Sequence, residues 1–238
     1  MPLIVHHLNV SQSERIPWLC EELSIPYTLK TYRRAPVLAP PEYKALHPSE
    51  TSPIIQDGEG DALITIAESG ACMEYIAHRY GNGGLFLPPT HPDYAQFLYW
   101  WHWANGTFQP AMLLNTMVGR MGVPDDHPRR VMGRERMNMM LRALNERVKK
   151  NKWLAGEEFT VADIMLVFSL TTMLVLLPVF PEGVRGRGRV PRADREEERR
   201  TRGRWRKAIP GWSLHWVRIR LRNRSALGCQ ESKWQVAE

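Results

Sequence analysis

Cysteine is scarce in this chain, long apolar runs are absent, and a net excess of basic charge is missing from most of its length. The three cysteines, Cys20, Cys72 and Cys229, are odd in number, far apart and in no C-x-x-C arrangement. That excludes a disulfide framework and a structural zinc site, so no metal is expected. The longest apolar stretch, Ile164 to Val179, is interrupted by Ser169, Thr171 and Thr172. It falls short of a bilayer span, and no membrane partner is expected. The opening Met1-Pro2-Leu3-Ile4-Val5-His6-His7 has neither a basic flank nor a small-residue cleavage site, so it does not read as a secretory signal, and a cytoplasmic address is expected. The formal net charge is +7, yet residues 184–238 hold 16 of the 32 Lys and Arg and only 6 of the 25 Asp and Glu. The first 183 residues are therefore mildly acidic. The basic segment lacks the aromatic spacing of a nucleic-acid reader, so nucleic acid is not expected as a partner.

What is present suffices for two compact domains, since 238 residues with 43% hydrophobic content can bury one sizeable core or two modest ones. Pro2 to Asn9 reads as a strand, and Ser11-Gln12-Ser13-Glu14 caps a helix carrying Ile16, Leu19, Cys20 and Leu23 at helical spacing. Ile25 to Tyr32 is a second strand, and Ala39-Pro40-Pro41-Glu42-Tyr43 opens a short helix. Ser52 to Gln56 and Leu63 to Ile66 form two further strands about a turn at Asp57-Gly58-Glu59-Gly60, and Ala67 to Tyr80 is a helix. The order β-α-β-α-β-β-α predicts a small α/β sandwich.

Two segments of this half carry chemistry: Thr51-Ser52-Pro53-Ile54-Ile55 and Ala67-Glu68-Ser69-Gly70-Ala71. A cis proline at the mouth of a strand would turn the preceding backbone N–H and C=O outward, towards a small extended ligand. Glu68 and Ser69 at a helix start would offer a carboxylate to an amine, and a hydroxyl with free N–H groups to a carboxylate. An ordinary helix cap explains the Glu-Ser pair alone, but not the proline upstream. Together they describe half of a cleft for a zwitterion.

Residues 91 to 150 read as two long helices. Tyr94, Phe97, Leu98, Trp101 and Phe108 form one stripe, and Met132, Met137, Met140, Leu141, Leu144 and Val148 another, both fitting a core or a dimer surface. Thr160 and Asp163 stand at the spacing of a capping box.

Pro40-Pro41-Glu42, His47-Pro48, Ser52-Pro53 and Ala67-Glu68-Ser69-Gly70-Ala71, in this order, resemble the thioredoxin-like domain of the glutathione S-transferase superfamily in its fungal and bacterial theta-like forms. Leu154-Ala155-Gly156-Glu157-Glu158-Phe159-Thr160-Val161-Ala162-Asp163-Ile164 is similar to the helix-start signature of the family's second domain. The resemblance implies an α/β N-terminal thioredoxin-like domain over residues 1–83 and an all-α C-terminal domain over 91–183. It implies a cytoplasmic homodimer acting in detoxification, with glutathione as co-substrate and a hydrophobic electrophile as the second substrate. It places Ser11 as the hydroxyl that stabilises the thiolate, with Ser13 as the close competitor and helix capping as the plain alternative for both. No cysteine stands there to make a thiol-disulfide exchanger, and Cys20 lies two turns into the helix. Glu68 would hold the γ-glutamyl amine, Ser69 its carboxylate, and the backbone of Ser52 before Pro53 the cysteinyl unit. Trp103 and Phe108 would wall the electrophile pocket. Where the family often has Gly-Lys, this chain has Glu50-Thr51, so Arg33 or Arg34 would have to meet the glycyl carboxylate. The alternative is a non-catalytic, dimeric interaction or ligand-binding module of the same fold.

The chain departs from the family pattern near Gly183, where Val184-Arg185-Gly186-Arg187-Gly188-Arg189 begins a segment without apolar periodicity. Residues 184–238 are expected to be a basic, disordered tail whose composition resembles an out-of-frame read of a G/C-rich coding sequence, the alternative being a genuine basic appendage.

Overall fold

The computed structural model describes residues 3–35 and 38–170. The basic segment, its expected disorder and Cys229 lie outside the described residues. The chain divides into two units after Pro88.

The first unit is a four-stranded sheet in the order β2-β1-β3-β4, built from β1 (Leu3–Leu8), β2 (Tyr27–Tyr32), β3 (Ile54–Asp57) and β4 (Ile64–Ala67). β1 and β2 pair in parallel from Leu3↔Tyr27 to Leu8↔Tyr32. Parallel neighbours need a crossover, and helix α1 (Arg15–Glu22) supplies it. β3 runs antiparallel to β1, and β4 antiparallel to β3. In α1 the apolar Ile16, Leu19 and Cys20 recur one turn apart and are fully buried. Helix α3 (Ser69–Tyr80) packs on α1 and buries Cys72, Met73, Ile76 and Ala77. The short helix α2 (Pro41–Lys44) begins with a proline whose missing N–H costs nothing at that position. It places Tyr43, fully buried, against Leu8, Ile54 and Ala67.

The β3–β4 connection runs from Gly58 to Leu63, shifted by one residue from the expected one, and Gly60–Ala62 within it forms a 3-10 turn. Gly58 has φ +95°, and a Cβ there would run into the Ala62 carbonyl; only glycine suits the position. α3 begins at Ser69 rather than Ala67, because Ala67 pairs with Ile54 in the sheet. Asp57, at the end of β3, accepts hydrogen bonds from Tyr75 and Tyr80 of α3 and ties the helix to the strand. This arrangement is the thioredoxin-like domain expected above.

The second unit is all helical: α4 (Tyr94–Trp103), α5 (Gln109–Arg120), α6 (Pro128–Lys150) and α7 (Val161–Phe168). The first of the two expected long helices is interrupted by a π-helical turn at Ala104–Phe108. Pro110 has no N–H to offer the Gly106 carbonyl, so the regular ladder cannot run through. α6 buries Met137, Met140 and Leu144 but leaves Met132 60% exposed, so its stripe is core only in part. At α7, Thr160 and Asp163 form the expected capping box. Among the described residues no helix is long and apolar enough to cross a membrane.

Candidate functional site

Immediately after β1 the chain turns through Val10, a non-glycine residue at φ +55°. That conformation is disfavoured for a β-branched side chain. The loop is held from outside: Arg34 donates through Nε to the Asn9 carbonyl at 3.0 Å and through Nη2 to the Val10 carbonyl at 2.8 Å. Ser11 follows in extended conformation and caps the 3-10 turn Gln12–Glu14, accepting from the Ser13 N–H at 3.2 Å. Its hydroxyl donates to the Leu8 carbonyl at 2.7 Å, and lies 2.7 Å from Ser13 Oγ and 2.9 Å from Ser52 Oγ. The Ser52–Pro53 peptide is cis. Ser11 and the Ser52-Pro53 pair, 41 residues apart in sequence, are thus in contact.

Ser13 is fully buried, whereas Ser11 keeps 4% of its surface. Ser13 Oγ accepts the Leu8 N–H at 3.1 Å and lies 2.9 Å from His7 Nδ1. Burial pushes the His7 imidazole down to about 4 from 6.5. The folded chain therefore refuses a proton that the unfolded chain accepts, and the resulting stability is present above pH 6.5 and lost as pH falls towards 4. Unfolding free energy, measured by chemical denaturation across that window, should drop more steeply for the wild type than for His7→Leu. Parallel curves would reject a neutral, buried imidazole.

The second cluster stands at the start of α3. Glu68 has φ +78° and ψ 128°, a sparsely populated conformation for a residue with a side chain. Its side chain is exposed and makes no hydrogen bond or ion pair among the described residues. Ser69 behind it is buried; its hydroxyl accepts from Arg15 Nη1 at 3.0 Å and donates to Gln12 Oε1 at 3.4 Å. Arg15 Nη1 also donates to Gln12 Oε1 at 2.8 Å. Burial lowers the Arg15 pKa to about 9 against the opposing effect of Glu14, so the guanidinium remains a cation near neutrality. A charged, buried knot therefore joins the Ser11 turn to the start of α3.

Arg33 is exposed, while Arg34 is engaged by the loop carbonyls. Burial drives the thiols of Cys20 and Cys72 up to about 12, so neither is a nucleophile near neutral pH. Among the described residues no group of three His, Cys, Asp or Glu is placed to hold a metal ion. Trp103 and Phe108 belong to the second unit, where their rings stack at 4.8 Å and both are buried.

Sequence reasoning placed Ser11, Ser52, Pro53, Glu68 and Ser69, and the first unit brings them together as two adjoining clusters. It missed Gln12, the anchoring role of Arg34, and His7. Two adjacent histidines closing a strand directly before a serine-rich turn were the available signal for His7. Strand alternation sends one of the two towards each face of the sheet.

Residues 11–79 match the family model of the glutathione S-transferase N-terminal domain, and residues 120–188 that of the glutathione S-transferase C-terminal domain. The chain is 29% identical over 183 residues to glutathione S-transferase 3 of Schizosaccharomyces pombe, covering 71% of this chain and 73% of that protein. A glutathione S-transferase crystal structure from Actinobacillus pleuropneumoniae superposes with a TM-score of 0.66 at 24% identity, covering 87% of this chain and 90% of that one. A theta-class glutathione S-transferase from Xanthomonas axonopodis pv. citri, with glutathione bound, superposes with a TM-score of 0.58 at 21% identity over 89% and 99% of the two chains. These two structural likenesses concern the fold, whereas the two domain matches, in the order and places of the two units, concern the sequence itself. The chain belongs to the glutathione S-transferase superfamily.

Proposed function

We propose that this protein is a cytoplasmic glutathione transferase, acting as a homodimer in detoxification, that binds glutathione at the first unit and conjugates its thiolate to a hydrophobic electrophile. The observation that carries the reading is the Ser11 hydroxyl, 2.9 Å from Ser52 Oγ beside Pro53 and at the start of a helical turn. A thiol is mostly protonated near neutrality, and only the thiolate attacks well. A hydroxyl that donates to sulfur favours the charged form and lowers its pKa, aided by the N–H groups of the turn. The thiol proton leaves to water. With an activated aryl halide as test electrophile, the sulfur–carbon bond forms and halide departs.

Recognition follows the same geometry. The backbone of Ser52 pairs with the cysteinyl unit, and Glu68, exposed and without a side-chain partner among the described residues, takes the γ-glutamyl amine. Ser69, backed by Gln12 and the Arg15 cation, takes the γ-glutamyl carboxylate. Arg33, with its charge free in solvent, meets the glycyl carboxylate. Trp103 and Phe108, expected as wall residues of the electrophile pocket, are packed inward within the second unit.

Glu68→Gln should raise the glutathione dissociation constant about tenfold, since a hydrogen bond to a charged group is worth about 1.5–3 kcal/mol and about 1.4 kcal/mol is a factor of ten. Turnover at saturating glutathione should change little. Titration calorimetry checks this, and an unchanged dissociation constant rejects the assignment.

One observation favours a second reading, a non-catalytic ligand-binding module: the Ser11 hydroxyl donates to the Leu8 carbonyl at 2.7 Å, as a serine that only caps would. Turnover with the aryl halide separates the two. Retention on immobilised glutathione without turnover would favour the module.

A further inference from the structure

His7 has no part in the reaction as proposed above, yet it sits one hydroxyl away from Ser11. The chain of contacts runs from His7 Nδ1 to Ser13 Oγ at 2.9 Å, from Ser13 Oγ to Ser11 Oγ at 2.7 Å, and from Ser11 Oγ to Ser52 Oγ at 2.9 Å. His7 and Ser13 are 2% and 0% exposed, so bulk water does not compete for the bond between them.

The protons on this chain can be counted. A serine hydroxyl has one proton to give and two lone pairs to fill. Ser13 Oγ accepts the Leu8 N–H at 3.1 Å, which leaves one lone pair and one proton. Ser11 Oγ accepts the Ser13 N–H at 3.2 Å, which leaves the same. A neutral imidazole carries its proton on one nitrogen only. With a bare Nδ1, His7 draws the Ser13 proton to itself, and the Ser11 hydroxyl is left to donate to the open lone pair of Ser13 or to the Leu8 carbonyl, each at 2.7 Å. With a proton on Nδ1, His7 fills the last lone pair of Ser13. The Ser13 proton then turns to its remaining acceptors, Ser11 Oγ at 2.7 Å or the Leu8 carbonyl at 3.2 Å, of which Ser11 is the nearer. Both lone pairs of Ser11 are then occupied, and its own proton must point away from Ser13. An anionic sulfur beside Ser52 attracts that proton more strongly than the Leu8 carbonyl does.

We propose that His7 is a positioning residue which, protonated on Nδ1, donates to Ser13 and through it aims the Ser11 proton at the glutathione thiolate. Each donor in such a chain polarises the next, so the last bond is strengthened as well as directed. The neighbouring His6 is occupied elsewhere: its Nδ1 lies 2.8 Å from the Tyr32 hydroxyl and its Nε2 3.0 Å from Gln56 Oε1. This proposal rests on the reading of Ser11 as the thiolate donor.

The test measures the pKa of the bound thiol from the ultraviolet absorbance of the thiolate, and kcat against pH, for the full-length wild type and four variants. Ser11→Ala tests the underlying reading: no change in thiol pKa there overturns that reading, and the present proposal with it. Given a shift in Ser11→Ala, His7→Leu and Ser13→Ala should each lower kcat about fivefold near neutral pH with little change in glutathione affinity, and the deficit should close at high pH. His7→Asn, whose amide reaches the place of Nδ1, should restore most of the loss. If His7→Leu does not fold, the decision passes to Ser13→Ala and His7→Asn. An unshifted thiol pKa in Ser13→Ala, or no recovery in His7→Asn when His7→Leu is folded and deficient, overturns the role of His7 while leaving that of Ser11 intact. Nitrogen NMR of the imidazole gives a direct reading, and a proton on Nε2 with Nδ1 bare also overturns it.

Discussion

Ser11→Ala should raise the pKa of bound glutathione by roughly one to two units and slow conjugation about 10- to 100-fold at neutral pH, leaving glutathione affinity nearly unchanged. The magnitude follows from one hydrogen bond to a charged acceptor, about 1.5–3 kcal/mol, set against about 1.36 kcal/mol for each pKa unit. Affinity survives because Glu68, the backbone of Ser52 and the Ser69 cluster do not depend on the hydroxyl. The substitution also strips the Ser13 N–H of its acceptor, a capping loss of about 1 kcal/mol. Thermal unfolding of the variant measures that loss separately from the chemistry. Raising the pH should restore the rate, because the thiol then ionises without help. Equal rates at neutral pH in variant and wild type would reject Ser11 as the donor, and Ser13→Ala should then show the defect.

The largest stability effect is expected in the second unit, at Asp163. Its Oδ1 accepts the Leu154 N–H at 2.9 Å, and its Oδ2 accepts the Thr160 N–H at 3.0 Å and the Thr160 hydroxyl at 3.2 Å. The carboxyl therefore closes the loop that leads into α7 as well as capping the helix. Asp163→Ala leaves these donors unsatisfied, and Thr160 is fully buried. An orphaned buried donor costs about 1–3 kcal/mol and a lost cap about 0.5–2 kcal/mol, so a loss of about 3 kcal/mol is expected in denaturant unfolding. Asp163→Asn keeps one acceptor and should lose less. A loss below about 1 kcal/mol in the alanine variant would show that water or the backbone replaces the carboxylate. Burial raises the Asp163 pKa to about 6 in spite of the bonds to the carboxylate. The folded state thus holds this proton more tightly than the unfolded one, and its contribution to stability declines as pH rises from about 4 to about 6. The contribution of His7 changes the opposite way over much of the same range, so only comparison of each variant with the wild type separates the two.

Much of the fold was legible from local pattern. Ile16, Leu19 and Cys20 announced α1, the β-rich run Leu3-Ile4-Val5 announced β1, and Thr160 with Asp163 announced the start of α7, because propensity, capping and amphipathic spacing act over a few residues. The interruption of the long helix at Ala104–Phe108 was missed, although Gly106 and Pro110 were in view. The strong aromatic period around them outweighed the one missing N–H. Ala67 was given to α3, and the sheet claimed it instead, since strand pairing is decided between residues distant in sequence.

The sequence by itself determined the two-unit organisation, the family, and the residue types at Ser11, Ser52, Pro53, Glu68 and Ser69, because these depend on spacing and short-range chemistry. Only the tertiary structure decided which hydroxyl meets which. It set Ser11 against Ser52 across 41 residues, placed Arg15 on Ser69 across 54, and gave His7 to Ser13 while His6 went to Tyr32 and Gln56. A hydrogen bond between side chains is fixed by angles and ångströms at the meeting of separate elements. The register of β1 against β2 and β3 and the packing of α1 on α3 set those angles, and neither is written within any one segment of the chain.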